Sequence, residues 1–253
     1  AIGYDALTNL TSGDNNTAVG NSAGNQLTTG LQNNYFGMYA GFYNRNGNNN
    51  VGVGYGATSG INGKSVTGNT GVGHASLYHI VGDNSTAIGL QAGYYATGSY
   101  NTFVGASAGE GATTSAPYSS GQNNVAVGYQ ALKGFTTGVS NVAVSINALG
   151  SLTTGENNIA IGHNAGDAIT SQGACILIGN NAGGAINSDD ASGTIAIGYQ
   201  AGLVLTEGQY NTIIGYEAGK AMTDNDGNII IGYQSFQTAN ALKLSSDIWE
   251  IRF

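Results

Sequence analysis

Apolar and polar residues follow one another along this chain in a short cycle that closes on glycine. Triplets such as Thr17-Ala18-Val19, Thr102-Phe103-Val104, Ile159-Ala160-Ile161 and Ile229-Ile230-Ile231 each run into a glycine, and Asn, Gly, Ser and Thr fill the stretches between. The closing glycines fall at Gly3, Gly20, Gly37, Gly54, Gly73, Gly89, Gly105, Gly128, Gly162, Gly179, Gly198, Gly215 and Gly232, with Ser145 in one place, which makes fourteen copies. Eight of the thirteen spacings equal 17 residues. That period is too short for a helical-pair repeat or a propeller blade and suits one coil of a β-solenoid. The pattern therefore predicts an all-β chain, a parallel β-solenoid of about fourteen 17-residue coils over residues 1–236. Residues 237–253 leave the repeat, and the alternation of Trp249, Ile251 and Phe253 with Glu250 and Arg252 predicts a strand that caps the solenoid or begins the next module.

Columns counted from the glycine assign roles within the coil. The place before it is apolar in every copy, as in Val19, Val104, Ile178 and Ile231, and is expected to fill the coil interior. The place two before it is also largely apolar, with Ala18, Ala87, Phe103, Ala126, Ala143, Ala160, Leu177 and Ile213 among its members. Side chains one apart on a strand point to opposite faces, so both faces need cover, and a helix to supply it is missing from the repeat. A second and third copy of the same chain would supply it, with this column lining a common axis. Three places after the glycine stands Ala in twelve copies, the mark of a tight inward corner. Seven places after it an apolar residue returns, as in Leu27, Ile80, Phe135 and Leu205, predicting a second, shorter strand or a bend.

Four places before the glycine sits Asn in ten of thirteen copies, at Asn16, Asn33, Asn50, Asn69, Asn101, Asn124, Asn141, Asn158, Asn211 and Asn228. Stacked coils put such amides about 4.8 Å apart, within reach of one another as a ladder. Asn also tolerates the left-handed backbone that solenoid corners require.

Composition narrows the functional classes. Glycine occurs 43 times, charged residues make up 8% and proline occurs once, which fits neither collagen nor a disordered tract given 41% hydrophobic residues. The formal charge is -8 with scattered bases, so no basic stripe offers itself to nucleic acid, and no apolar run reaches the length of a membrane span. The chain opens on Ala1-Ile2-Gly3, inside the motif and without Met, and reads as a segment of a longer protein. A single cysteine, Cys175, leaves no intrachain disulfide framework.

The columns, written out at Asn16-Thr-Ala-Val-Gly-Asn-Ser-Ala-Gly24, resemble the head repeats of YadA-type trimeric autotransporter adhesins. They look closer still to repeat tracts of phage tail-fibre proteins that end in an endosialidase-type chaperone. The resemblance covers residues 1–236. It implies a homotrimer of parallel β-rolls about a common axis, left-handed in the adhesin heads. Its function would be structural and adhesive, extracellular, in a virion tail fibre with receptor-binding and host-attachment duty, or alternatively in a bacterial adhesin head at the cell surface. A third reading, an ice-binding solenoid, comes from paired threonines such as Thr28-Thr29 and Thr153-Thr154, which lapse at Asn44-Arg45 and Ile80-Val81.

No enzyme is expected. His74 and His163 take the place directly after the glycine that tyrosine holds elsewhere, and Cys175 replaces a ladder asparagine, so none heads a catalytic or metal set and no cofactor is implied. Asp224-Asn-Asp226-Gly227 imitates a calcium loop but lacks its closing acid, Tyr233 standing there. Binding candidates are the column tyrosines Tyr55, Tyr129, Tyr199, Tyr216 and Tyr233, whose rings suit a glycan, and Pro117 and Tyr118 in the six-residue insertion between Gly105 and Gly128. The expected partners are further copies of the chain and a cell-surface glycan or protein receptor.

Overall fold

Each copy of the repeat after the first holds a strand of only three residues, because the backbone turns at both of its ends. Five places before the glycine the chain enters the left-handed region, as at Asn15 (φ 60°), Asn49 (59°) and Tyr100 (61°). The glycine that follows the strand is also at positive φ, 137° at Gly20, where an added Cβ would lie 2.6 Å from the backbone of Gly37 in the next coil. Only glycine meets both demands without strain. Ser145 takes the same place at φ 105°.

The computed structural model describes residues 1–112, 118–187, 191–237 and 249–251. It divides into two compact units, Ala1–Tyr129 and Gln130–Phe253. Among the described residues there is no α-helix, and each unit is a parallel β-solenoid. In the first unit Ile2 bridges Val19, and strands follow at β1 (Thr17–Val19), β2 (Asn34–Phe36), β3 (Val51–Val53), β4 (Thr70–Val72), β5 (Thr86–Ile88), β6 (Thr102–Val104) and β7 (Val125–Val127). Each pairs in parallel with the next, in register by repeat position: Thr17 with Asn34, Ala18 with Tyr35, Val19 with Phe36. The second unit holds β8 (Val142–Val144), β9 (Ile159–Ile161), β10 (Ile176–Ile178), β11 (Ile195–Ile197), β12 (Thr212–Ile214), β13 (Ile229–Ile231) and β14 (Trp249–Ile251). The strand expected outside the repeat is β14, which pairs in parallel with β13.

The two faces of the strand are the reverse of the sequence expectation. The middle residue of each triplet points inward: Ala18, Tyr35, Ala87, Phe103, Ala126, Ala143, Ala160, Leu177, Ala196 and Ile213 are fully buried. The residues on either side point outward, and Val19, Val104, Ile178 and Ile231 are only half-buried. The reason is room. Positions one and three of a triplet share a face, so an inward choice would crowd two β-branched side chains into every coil. One residue per strand fits, beside the buried alanine three places after the glycine and the buried Leu27, Ile80, Phe135, Leu152, Ile169, Ile186 and Leu205 seven places after it.

That last column is a bend and not a second strand. Its N–H closes a four-residue turn on the carbonyl three places earlier, from Leu27 to Gly24 at 3.0 Å and from Leu152 to Leu149 at 3.2 Å.

In several coils the strand's middle residue and the residue four places after the glycine share out the interior volume. The coils where both are small, Ala18 with Gly24, Ala87 with Gly93, Ala160 with Gly166 and Ala196 with Gly202, are filled from the next coil by Tyr35, Phe103, Leu177 and Ile213. Within a coil, Tyr35 goes with Gly41, Phe103 with Gly109, Leu177 with Gly183 and Ile213 with Gly219, while Gly71 goes with Leu77, Ala126 with Leu132 and Ala143 with Leu149. Those leucines sit at φ 49–52°, a conformation that costs an L residue about 1–2 kcal/mol, an amount comparable to what full burial of a leucine returns.

Candidate functional site

Three outward columns run along each unit. The strand-edge positions one and three places before the glycine carry Thr, Val, Ile, Phe and one Asn, and the position after the glycine carries Tyr, Leu, Ile, Met, His, Asn and Ala. None holds an Asp, Glu, Lys or Arg. Exposure there is high for apolar side chains: Ile88 44%, Ile161 40%, Tyr129 52%. Exposed apolar strips of this kind mark interaction surfaces, since scattered single residues would need no account but aligned columns do.

The column tyrosines lie on this strip, and the parallel register stacks them on each other. Tyr216 lies between Tyr199 (centroids 5.1 Å, 14°) and Tyr233 (5.4 Å, 14°), so neighbouring rings cover its faces. Tyr55 stacks on His74 at 5.0 Å. Tyr129 is exposed, and Pro117 lies outside the described residues. A sugar ring needs an aromatic face, and Tyr216, the middle ring of its stack, has neighbours on both of its own.

A second group of rings, missed at the sequence level, lies in the first unit five and six places after the glycine. Tyr78 stacks on Tyr94 at 5.2 Å, and His79 on Tyr95 at 5.4 Å. The two stacks meet edge to face, Tyr94 against Tyr95 at 4.5 Å and His79 against Tyr94 at 5.2 Å. Tyr118 comes from the insertion and stacks on His79 at 4.4 Å. The chain rejoins the coil directly afterwards, where Ser119 bridges Ala96 and its carbonyl accepts from the Thr97 N–H at 2.7 Å. All five rings are half-buried. Desolvation raises the pKa of Tyr78 and Tyr94 and lowers that of His79, which favours the neutral imidazole. The sequence signal was the adjacent pairs Tyr78-His79 and Tyr94-Tyr95, sixteen residues apart and so on neighbouring coils.

The asparagine ladder forms, and it is chiefly a ladder to backbone. In the first unit Asn33 Nδ2 donates to the Gly47 carbonyl (2.8 Å), and Asn33 Oδ1 accepts from both the N–H and Nδ2 of Asn50 (3.0 and 2.9 Å). Asn16, Asn50, Asn69 and Asn101 continue it, and Asn101 Oδ1 accepts the Asn124 N–H. In the second unit Asn141, Asn158, Asn211 and Asn228 repeat the pattern. The left-handed corner is one residue earlier than the ladder column, at Asn15, Asn49, Asn123 and Asn157, so the ladder asparagines are chosen for their amides and not for their backbone.

The remaining candidates have structural partners. Asp226 Oδ1 accepts the Gln209 N–H at 2.7 Å, and Asp224 Oδ1 the Thr223 hydroxyl at 3.2 Å. His163 Nδ1 meets the Asn180 amide at 3.2 Å. Cys175 is buried in the ladder, donates its N–H to Asn158 Oδ1, and burial pushes its thiol pKa up, away from reactivity. Thr11, Thr28, Thr136, Thr153 and Thr206 each donate their hydroxyl to a carbonyl of the next coil at 3.0–3.2 Å. In the second unit a polar cleft of about 220 Å³ opens where Gly150 lacks a side chain, lined by Gln130, Lys133, Asn147, Ser151 and Asp167. Among the described residues no three His, Cys, Asp or Glu side chains gather as metal ligands, and no helix is long and apolar enough to cross a membrane.

No family model matches this chain, and no curated protein or solved structure matches it either.

Proposed function

We propose that this chain is a non-catalytic, self-associating segment of a trimeric extracellular fibre of the tail-fibre kind, with an adhesive role. The observation that supports this most is the outward strand face: aligned Val, Ile and Thr columns, flanked by stacked tyrosines, without a charge on any of them. A surface of that composition meets a second copy of itself without charge repulsion, and identical 17-residue registers let the rows of two copies interdigitate. The correction to the strand faces moves the expected trimer axis. The residues that would line it are Ile88, Val127, Ile161 and Ile178 with their column neighbours, and not Ala143 or Ala160. The threonine hydroxyls are donated to backbone carbonyls of the next coil, which argues against a regular hydroxyl array held for ice.

Sedimentation equilibrium tests the proposal. The intact chain should sediment at three times the mass of one chain, and the double variant Ile161→Asp, Ile178→Asp at the mass of one. A monomeric wild type overturns the trimer. A double variant that stays trimeric shows that some other surface joins the copies.

A further inference from the structure

We infer that the ring cluster of Tyr78, His79, Tyr94, Tyr95 and Tyr118 is a binding platform for a neutral saccharide. This rests on the adhesive reading above and places the recognition surface away from the tyrosine column of the strand face.

The first ground is that the solenoid does not require aromatic residues there. Five and six places after the glycine, the second unit carries Gly150-Ser151, Asp167-Ala168 and Gly184-Ala185 and builds the same coil. The rings in the first unit are an addition to the fold. The second ground is Tyr118. It belongs to the one coil of 23 residues, and it returns onto His79, which precedes it by 39 positions, before Ser119 re-enters the stack. The third is chemistry. The rings are half-buried, so part of the group is open to solvent, and because Tyr95 and Tyr118 both stack on His79, the tyrosines are the rings with a face to offer. Apolar ring surface with phenol hydroxyls at its edge matches a pyranose, which offers C–H groups on its face and O–H groups around its rim. The Ser119 hydroxyl beside the cluster is buried and has no hydrogen-bond partner among the described residues.

Charge decides the class of sugar. The five side chains hold no fixed charge, the chain carries a net -8, and desolvation favours neutral His79, so an acidic polymer would meet no cation here. A neutral hexose chain meets no penalty.

The test is titration calorimetry of the intact chain with cellohexaose and maltohexaose, against hexagalacturonate and a proline decapeptide. Saturable binding of a neutral hexaose is expected. Tyr95→Ala and Tyr118→Ala should each weaken it by about tenfold or more, while Tyr210→Ala, an exposed tyrosine of the other unit, leaves it unchanged. Both alanine variants should keep the wild-type circular dichroism and sedimentation, because Ala168 and Ala185 occupy the place of Tyr95 in other coils. Failure of both neutral hexaoses to bind overturns the inference, as does binding that survives both substitutions. Preference for the acidic sugar or the peptide overturns it in favour of that ligand. Because mass and fold are read on the same samples, loss of sugar binding in a trimer sinks this platform alone, whereas a monomer sinks the fibre reading instead.

Discussion

Replacing Asn158 by alanine should cost this protein a large part of its stability, and replacing it by serine should cost clearly less. Asn158 is fully buried, its Nδ2 donates to Asn141 Oδ1 (3.1 Å) and to the Gln172 carbonyl (2.8 Å), and its Oδ1 accepts the Cys175 N–H (3.0 Å). Alanine strands the Gln172 carbonyl and the Cys175 N–H in the coil interior, while Asn141 Oδ1 keeps the backbone N–H of residue 158 (3.0 Å). A buried group so stranded costs about 1–3 kcal/mol, and for two of them with partial relaxation the sum is about 2–4 kcal/mol. That is a substantial share of the roughly 5–15 kcal/mol that holds an ordinary domain together. Serine can keep weaker forms of two of the bonds, as the natural rung Ser85 shows: its hydroxyl accepts the Asn101 N–H at 3.2 Å and donates to the Gly98 carbonyl at 3.4 Å. Asn158→Ser should therefore recover about 1–2 kcal/mol of the loss. The assay is guanidinium unfolding followed by far-ultraviolet circular dichroism, with all chains at one concentration because association contributes to the apparent stability. Alanine and serine variants of equal stability, or an alanine cost under about 1 kcal/mol, would refute the view that backbone partners give the ladder its strength.

Two further outcomes follow from local geometry. Ser145→Gly should stabilise by about 0.5–1 kcal/mol, seen as a higher urea midpoint, since relief of strain at φ 105° outweighs the extra chain entropy of glycine. His79 has a folded pKa below its unfolded one because burial penalises its charge. Its contribution is present above the unfolded value, about 6.5, and is lost as pH falls towards the folded value, so the melting temperature should drop from about pH 7 to 5 and drop less in His79→Gln.

Much of the fold was legible because a solenoid repeats its reasons. The period, the three-residue strand before each glycine, the ladder column and the small corner at Ala23 or Ala165 all appear many times over, and one noisy copy changes nothing. The direction of the strand faces was not legible from apolarity. Val19 and Ala18 both read as core, and the deciding quantity is interior volume, which admits Ala18 and excludes a pair such as Thr17 with Val19. The tyrosines were visible as a column at Tyr199, Tyr216 and Tyr233, but whether their faces were free depended on the parallel register that stacks them. The ring cluster went unread because it spans only two coils and is completed by Tyr118, whose approach to His79 no spacing rule announces.

The exchange of bulk between the strand's middle residue and the position four after the glycine constrains how such an array can evolve. A coil with Phe103 over Gly109 and a coil with Ala126 beneath Leu132 are two solutions to one volume. A single step from one to the other leaves a void or a clash unless a neighbouring coil supplies or yields the bulk, as Phe103 does beside Gly93 in the coil of Ala87. Substitutions at the two positions should covary among descendants of this repeat. Whole coils, by contrast, can be duplicated or lost as units, and where Tyr35, Phe103, Leu177 or Ile213 also fills the space beside the glycine of the preceding coil, at Gly24, Gly93, Gly166 and Gly202, the two coils must be duplicated or lost together. The array is thus free to change its length while each coil remains nearly frozen inside.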